Sequence, residues 1–118
     1  MKKRLLVIDD DLDILEALSL VLEESYEVVS TTDGVDALRQ LQRRHFDAAV
    51  VDLMMPEMDG ESLVDSMRQI GIKVPVLLAS AVPDLAGRAA RLGLPCIAKP
   101  YDMPVLEAKL AAVLGATG

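Results

Sequence analysis

The sequence predicts an α/β protein with a doubly wound, five-stranded parallel sheet and helices on both faces of that sheet. Short apolar runs alternate with amphipathic segments from one end of the chain to the other. Four of the five runs are almost continuously apolar, which is typical of parallel strands buried on both faces. Five strand–helix units joined by right-handed crossovers use the whole length of 118 residues, so we expect a single domain over residues 1–118.

The first two strand–helix pairs occupy the first part of the chain. The first strand is predicted at residues 5–8. Apolar residues then recur with helical spacing over residues 14–22, and Asp11 precedes them as a candidate N-cap. The second strand is predicted at residues 27–30 and the second helix near residues 34–43, where alanine and leucine recur on one side.

The third pair lies in the middle of the chain. The run at residues 48–51 is apolar throughout and predicts a strand. One apolar stripe at helical spacing over residues 63–70 predicts the third helix. Gly71 follows the stripe and is expected to end that helix, because glycine is favoured in the left-handed conformation that closes a helix.

The last two pairs have weaker signals. The fourth strand is predicted at residues 74–78, and the fourth helix at about residues 84–92, with an apolar face made mostly of alanine and Gly93 as its stop. The fifth strand is predicted at residues 96–98. Asp102 then precedes the last helix.

Composition and charge exclude several classes of protein. The chain has 12 lysines and arginines against 19 aspartates and glutamates, a net charge of −7, which argues against direct contact with nucleic acid. Its longest apolar stretch, residues 74–83, is far shorter than the roughly 20 residues that span a bilayer. The basic residues 2–4 lead directly into a strand rather than into a signal peptide, so we expect a cytoplasmic protein.

Polar side chains follow four of the predicted strands. Asp9 and Asp10 follow the first, Asp52 the third, Ser80 the fourth and Lys99 the fifth. In a doubly wound sheet the ligand site lies beyond these carboxyl ends, so the side chains should converge. Three carboxylates close together repel one another unless a cation lies between them, which favours Mg²⁺, with Mn²⁺ as an alternative.

This set of residues suits phosphoryl transfer. Asp52 can act as a nucleophile toward phosphorus and form an aspartyl phosphate. Lys99 supplies a positive charge and Ser80 a hydrogen-bond donor for the phosphoryl oxygens. The sequence offers no histidine base, catalytic cysteine or glycine-rich phosphate loop that competes with this assignment.

The same residues resemble the receiver domain of two-component response regulators, and the chain is similar in extent to the single-domain chemotaxis regulator. The resemblance covers essentially the whole chain. Four segments carry it in the order and at the separations usual in the family: residues 7–10, residues 52–60, Ser80-Ala81 and Lys99-Pro100.

The resemblance implies a flavodoxin-like fold with strand order 2-1-3-4-5, in which Asp52 accepts a phosphoryl group from the phosphohistidine of a histidine kinase or a histidine phosphotransfer protein. It implies that the domain is a signalling switch rather than an enzyme that turns over an external substrate. It also assigns further roles: direct metal ligands at Asp10 and Asp52, a water-mediated ligand at Asp9, a backbone carbonyl ligand at Met54, phosphoryl contacts from Ser80 and Lys99, and a cis peptide bond before Pro100.

The chain departs from the family at one switch position. Family members couple the hydroxyl at Ser80 to an aromatic side chain three residues before the lysine, and here that position is Cys96. Cysteine has no ring to move, so the surface formed by helix four, strand five and helix five is expected either to respond through Ser80 and its loop alone or to respond little. A homodimer through that surface, a separate downstream protein and a missing output domain all remain open.

Two apolar residues bear on the lifetime of the phosphorylated state. The resemblance places Met54 and Val82 beside the route by which water reaches the phosphorus. Neither side chain can orient a water molecule, so we expect slow self-dephosphorylation.

Three other functions remain as alternatives. A phosphatase of the haloacid dehalogenase type would share the Asp nucleophile and Mg²⁺, but Asp13 stands where that family has Thr or Val. A flavin-binding flavodoxin would need aromatic residues, which make up only 3% of the chain. A receiver-like interaction module that is never phosphorylated is the third.

Overall fold

The computed structural model describes residues 2–55 and 57–115, so the ends of the predicted domain and Pro56 of the 52–60 motif lie outside the described residues. Strands and helices alternate along the chain. In order they are β1 (Lys3–Ile8), α1 (Leu12–Leu22), β2 (Tyr26–Thr31), α2 (Gly34–Arg43), β3 (Ala48–Val51), α3 (Gly60–Gln69), β4 (Val76–Ser80), α4 (Leu85–Leu92), β5 (Cys96–Ala98) and α5 (Met103–Gly115).

The five strands form one parallel sheet in the order β2-β1-β3-β4-β5, which confirms the predicted fold class and strand order. The inner strands β3 and β4 are buried along their whole length, as their continuous apolar sequences predict. The edge strand β2 is only partly buried, because no strand covers its outer side.

The helices form two layers, one on each face of the sheet. Helices α1 and α5 bury leucines against one face, and α2, α3 and α4 bury apolar residues against the other. Asp11 caps α1 as predicted: its carboxylate accepts hydrogen bonds from the amides of Asp13 and Ile14. Gly71 and Gly93 follow α3 and α4 with φ of 80° and 71°, the left-handed conformation expected of helix stops.

Several predicted boundaries differ from the structure by a few residues, and those of β4 and α4 have a clear local cause. Strand β4 runs from Val76 to Ser80 rather than over residues 74–78, because Pro75 has no amide hydrogen to donate to a neighbouring strand. Helix α4 begins at Leu85 because Asp84 has a left-handed backbone, with φ of 56°. No helix among residues 2–55 and 57–115 has both the length and the apolar character needed to cross a membrane.

Gly60 allows α3 to pack directly against the end of β3. A Cβ atom at Gly60 would lie 2.5 Å from the carbonyl oxygen of Asp52 and 2.9 Å from the Cα of Leu53, both of them backbone atoms. We therefore expect Gly60→Ala to lower the free energy of unfolding by about 1–3 kcal/mol, as in other overpacked sites. Urea denaturation measures this effect.

Gly115→Ala is the matched control, because a Cβ there meets no atom of residues 2–55 or 57–115 within 4 Å. Alanine is the better helix former, so this variant should be no less stable than the wild-type protein. Equal denaturation midpoints for the two variants would contradict the close packing at Gly60.

Candidate metal centre

The predicted site residues meet at the carboxyl edge of the sheet. Asp9 and Asp52 directly follow β1 and β3, and the amide of Asp52 donates a hydrogen bond to the carbonyl of Ile8 at 3.0 Å. Ser80 is the last residue of β4, and the amide of Lys99 donates to the Ser80 carbonyl at 2.9 Å. Parallel pairing thus brings together residues that are far apart in sequence.

Asp52 is the centre of the contacts at this edge. Lys99 Nζ donates to Asp52 Oδ2 at 2.8 Å and to Asp9 Oδ2 at 2.5 Å. Ser80 Oγ donates to Asp52 Oδ1 at 2.7 Å, and the amide of Met54 donates to the same oxygen at 3.0 Å. Both oxygens of the Asp52 carboxylate therefore have hydrogen-bond donors.

These polar groups are largely withdrawn from water. Asp9 is 4% exposed, Asp52 5% and Ser80 0%, whereas Asp10 is exposed. Buried charges are stable only when they are paired and hydrogen-bonded. Lys99 pairs with Asp9, and the amide of Asp11 donates to Asp9 Oδ1 at 3.0 Å. These bonds stabilise the buried charge of Asp9 in part.

The acidic side chains can also hold a metal ion. Asp9, Asp10 and Asp52 each offer a carboxylate oxygen, and these oxygens lie within 4.8 Å of one another. When ionised, the three carboxylates carry two more charges than the Lys99 ammonium balances. An all-oxygen donor set with that excess fits a hard divalent cation such as Mg²⁺. The assignment of the Met54 carbonyl as a further ligand stays a prediction.

Burial and charge act against each other at this site. Burial raises the pKa of Asp9 above its ordinary value, although hydrogen bonds from Lys99 and the Asp11 amide lower it in part. Burial alone would lower the pKa of Lys99, but hydrogen bonds to Asp52 and Asp9 outweigh it, so the pKa of Lys99 is raised. Lys99 therefore remains a cation at neutral pH.

We expect Mg²⁺ to raise the melting temperature of the protein, because an ion that binds only the folded state stabilises it. At a free Mg²⁺ concentration one hundred times the dissociation constant, the gain is about 2.7 kcal/mol. Asp10→Asn should bind Mg²⁺ at least about tenfold more weakly, and without metal it should be more stable than the wild-type protein because one repelling charge is gone.

Thermal unfolding at a series of MgCl₂ concentrations measures both effects. Asp65→Asn is the control, because Asp65 is exposed on α3 and lies outside the acidic cluster. If Mg²⁺ raised the melting temperature of Asp10→Asn as much as that of the wild-type protein and of Asp65→Asn, Asp10 would be excluded as a ligand.

An apolar cavity opens beside the acidic cluster, and sequence reasoning missed it. It has a volume of about 410 Å³ and lies between α1 and the segment that leads from β5 into α5. Ile14 and Ala17 line one side, and Lys99, Pro100 and Tyr101 line the other. A larger depression of about 780 Å³ lies at the opposite edge of the sheet and contains none of the predicted site residues.

Cys96 is the first residue of β5, and Pro100 follows shortly after the end of that strand. Cys96 is half-buried and pairs with Leu78 of β4, so it contacts the core on the side of α2, α3 and α4 rather than the acidic cluster. The peptide bond between Lys99 and Pro100, for which the resemblance implied the cis form, is cis.

Comparison with known proteins identifies close similarities over nearly the whole chain. The family model described as the response regulator receiver domain matches residues 5–111. The transcriptional regulatory protein PrrA of Mycobacterium tuberculosis is 37% identical over 98% of this chain and 51% of that protein. The alkaline phosphatase synthesis transcriptional regulatory protein PhoP of Bacillus subtilis is 30% identical over 97% of this chain and 49% of that protein. The chain thus spans about half the length of these curated relatives.

Solved structures of a receiver domain and of a chemotaxis protein are also similar to this chain. The receiver domain of the Francisella response regulator 1452 superimposes with a TM-score of 0.91 at 27% identity, over 99% of this chain and 100% of the other. The chemotaxis protein CheY4 of Vibrio cholerae has a TM-score of 0.86 at 26% identity, over 96% and 99% of the two chains.

Proposed function

The chain belongs to the response regulator receiver domain family, and from this premise we propose that it is a phosphorylation-activated switch of a two-component system. The observation that carries the proposal is the setting of Asp52. Its carboxylate lies among two other carboxylates and is held by Lys99, Ser80 and the amide of Met54. A nucleophile, a cation and two donors within one small site are the elements that phosphoryl transfer requires.

In the proposed reaction an oxygen of Asp52 attacks the phosphorus of a phosphohistidine. A P–O bond forms, the P–N bond breaks, and the histidine ring nitrogen keeps the electron pair. Lys99 moves its hydrogen bonds from the carboxylates toward the phosphoryl oxygens, and Ser80 Oγ turns from Asp52 Oδ1 to a phosphoryl oxygen. These donors offset the negative charge that the group brings into a buried site.

The acidic cluster is proposed to bind Mg²⁺, or Mn²⁺ in its place, through Asp10 and Asp52 directly, Asp9 through water, and the carbonyl of Met54. When bound, the ion supplies positive charge to the phosphoryl oxygens. The protein's own groups position the Asp52 carboxylate. Asp9 accepts a hydrogen bond from Lys99 and so holds it beside Asp52, and the amide of Met54 donates to Asp52 Oδ1.

The proposed phosphodonor is a histidine kinase or a histidine phosphotransfer protein in the cytoplasm. The apolar cavity between α1 and Tyr101 supports this assignment, because it adjoins Lys99 and can accept apolar side chains of a donor protein. Its lining by Ile14 and Ala17 favours a contact on α1, and Lys99, which also lines the cavity, bonds to Asp52.

The proposed output is a change at the surface formed by α4, β5 and α5, triggered by Ser80, with Cys96 in the place of an aromatic switch residue. A downstream protein, an output domain or a second copy of the chain would read that change. The domain makes no direct contact with nucleic acid in this proposal, in keeping with its net charge of −7. It acts on its own aspartate and is not a turnover enzyme.

Incubation of the wild-type protein with acetyl phosphate and Mg²⁺ tests the proposal. Intact mass spectrometry should show the addition of one phosphoryl group, and EDTA should prevent it. If the protein gained no mass even with acetyl phosphate and Mg²⁺, an interaction module that is never phosphorylated would be favoured. Sustained hydrolysis of added phosphate esters would instead favour the phosphatase alternative.

We expect the phosphorylated protein to be long-lived, because its two flanking side chains cannot orient a hydrolytic water. Met54 is 57% exposed and Val82 is buried, and both are apolar. Met54→Asn combined with Val82→Glu should shorten the half-life at least about tenfold, since a positioned acid–base group commonly contributes more than that. The decay of the phosphorylated mass after removal of acetyl phosphate measures the half-life.

Two further variants sharpen this measurement. Met54→Asn alone avoids placing a charge at the buried position 82 and should still shorten the half-life, whereas Met54→Leu should leave it unchanged. Equal half-lives in all of these variants would count against the role of the two side chains.

A further inference from the structure

Helix α4 has few apolar contacts that hold it in place. It has only eight residues, of which Leu85 and Ala89 are buried and Leu92 packs against the same apolar cluster. Asp84 precedes it in a left-handed conformation, and the Asp84 side chain makes no capping hydrogen bond. A helix this short depends on its surroundings for both its stability and its position.

An arginine at the centre of α4 joins it to the first turn of α3. Arg88 Nε donates to Glu61 Oε1 at 2.8 Å, and Arg88 Nη2 donates to the same oxygen. The two side chains are 32% and 35% exposed, so the pair is largely shielded from water. Such a pair is stronger than a fully exposed one, because the surrounding protein screens it less than water does.

A second arginine, on α3, bonds the carboxyl end of α4. Arg68, near the end of α3, donates from Nη2 to the carbonyl of Leu92 at 2.5 Å. Carbonyl groups in the last turn of a helix have no donor within that helix, and a cation there also interacts favourably with the helix dipole. The centre and the carboxyl end of α4 are therefore each bonded to α3.

The first turn of α3 in turn rests on the proposed phosphoacceptor. Glu61 directly follows Gly60, which packs against the backbone carbonyl of Asp52 and donates its amide to the Leu53 carbonyl at 3.3 Å. A continuous path of backbone and side-chain contacts thus leads from Asp52 through Gly60 and Glu61 to Arg88.

We infer that Arg88 and Arg68 fasten α4 to α3, so that α4 follows the movement of the amino end of α3 when the backbone of Asp52 shifts. The part of this inference that concerns transmission rests on the proposed function. The attachment of α4 to α3 does not rest on the proposed function, because it can be measured in the unphosphorylated protein.

Hydrogen–deuterium exchange of the amides in α4 tests the inference. In the unphosphorylated protein, Arg88→Met should raise the exchange rate of these amides by about fivefold, the effect expected when a partly shielded ion pair is lost. Methionine and arginine have similar helix propensities, so the change does not arise from helix formation itself. The double variant Glu61→Arg with Arg88→Glu should restore wild-type exchange.

Arg91→Met is the matched control, because Arg91 lies on the same helix, its side chain is 67% exposed, and its ion pair within the described part of the chain is with Asp84, at 3.8 Å. Its exchange should equal that of the wild-type protein. Equal exchange in Arg88→Met, Arg68→Met and the wild-type protein would overturn the inference.

The same proteins treated with acetyl phosphate and Mg²⁺ separate the two proposals. Phosphorylation should change the exchange of α4 more in the wild-type protein than in Arg88→Met, although both gain the same mass, because Ser80 and Arg68 are intact in the variant. If both gain mass and α4 responds equally, transmission through Arg88 is wrong. If neither gains mass, the proposed function fails, while the exchange of the untreated proteins still decides the fastening.

Discussion

Asp52→Ala is expected to abolish the mass gain that the wild-type protein acquires from acetyl phosphate in the presence of Mg²⁺. Asp52 is the carboxylate that Lys99, Ser80 and the Met54 amide all contact, so it is the one whose oxygens are positioned and balanced by charge. Without that carboxylate no nucleophile remains between the donors. Intact mass spectrometry of the treated variant measures the result.

Asp65→Asn serves as the control for this variant and should gain the full mass, because its side chain is exposed on α3. Asp52→Asn is a second variant that preserves the size of the side chain and keeps a hydrogen-bond acceptor for Ser80. It should also gain no mass. A full mass gain in either Asp52 variant would place the phosphoryl group elsewhere.

Lys99→Met is expected to reduce the rate of phosphorylation by about 100-fold or more, because a positioned donor that meets developing charge contributes that much in enzymes. It should also lower the stability of the metal-free protein. Lys99 bridges two carboxylates whose side chains are 5% and 6% exposed, and leaving a buried charge unpaired costs about 3–5 kcal/mol. The initial rate of mass gain and urea denaturation measure the two effects.

The loss of stability in Lys99→Met should depend on pH. The pKa of Asp9 is already raised by burial, and removal of the Lys99 hydrogen bond raises it further. A raised carboxyl pKa means that the folded state binds more protons than the unfolded state, so stability falls as pH rises through that pKa. The difference between variant and wild type should therefore shrink toward acid pH.

Lys109→Met is the control for both measurements, because Lys109 is exposed on α5. It should be phosphorylated at the wild-type rate and show no added dependence of stability on pH. If Lys99→Met were phosphorylated as fast as Lys109→Met, the proposed role of the ammonium would be excluded.

The order and type of the elements could be predicted because interior parallel strands need continuous apolar sequences. Strand β3 is therefore found at its predicted residues. Strand β2 extends beyond its predicted ends to Tyr26 and Thr31, because pairing with Lys3 and Ile8 of β1 defines it rather than its apolar content. Hydrophobic periodicity carries little information about an edge strand.

The candidate site could be predicted in outline because a doubly wound sheet brings the ends of its strands to one edge. The contacts of Asp52 with Ser80 and Lys99 follow from that geometry. The bond between Glu61 and Arg88 could not be predicted in this way, because it joins two helices through oppositely charged residues that no sequence pattern relates. Long-range side-chain pairs of this kind depend on how the helices pack.

We propose that the acidic edge of the sheet directs a phosphoryl group to one particular carboxylate, that of Asp52. Borohydride reduction of the protein after treatment with acetyl phosphate and Mg²⁺ tests it most directly, because it converts an aspartyl phosphate into homoserine at the modified position. Peptide mapping should find homoserine at position 52 and aspartate at positions 9 and 10. Homoserine at position 9 or 10, or at no position in a protein that has gained mass, would show that Asp52 is not the phosphoacceptor.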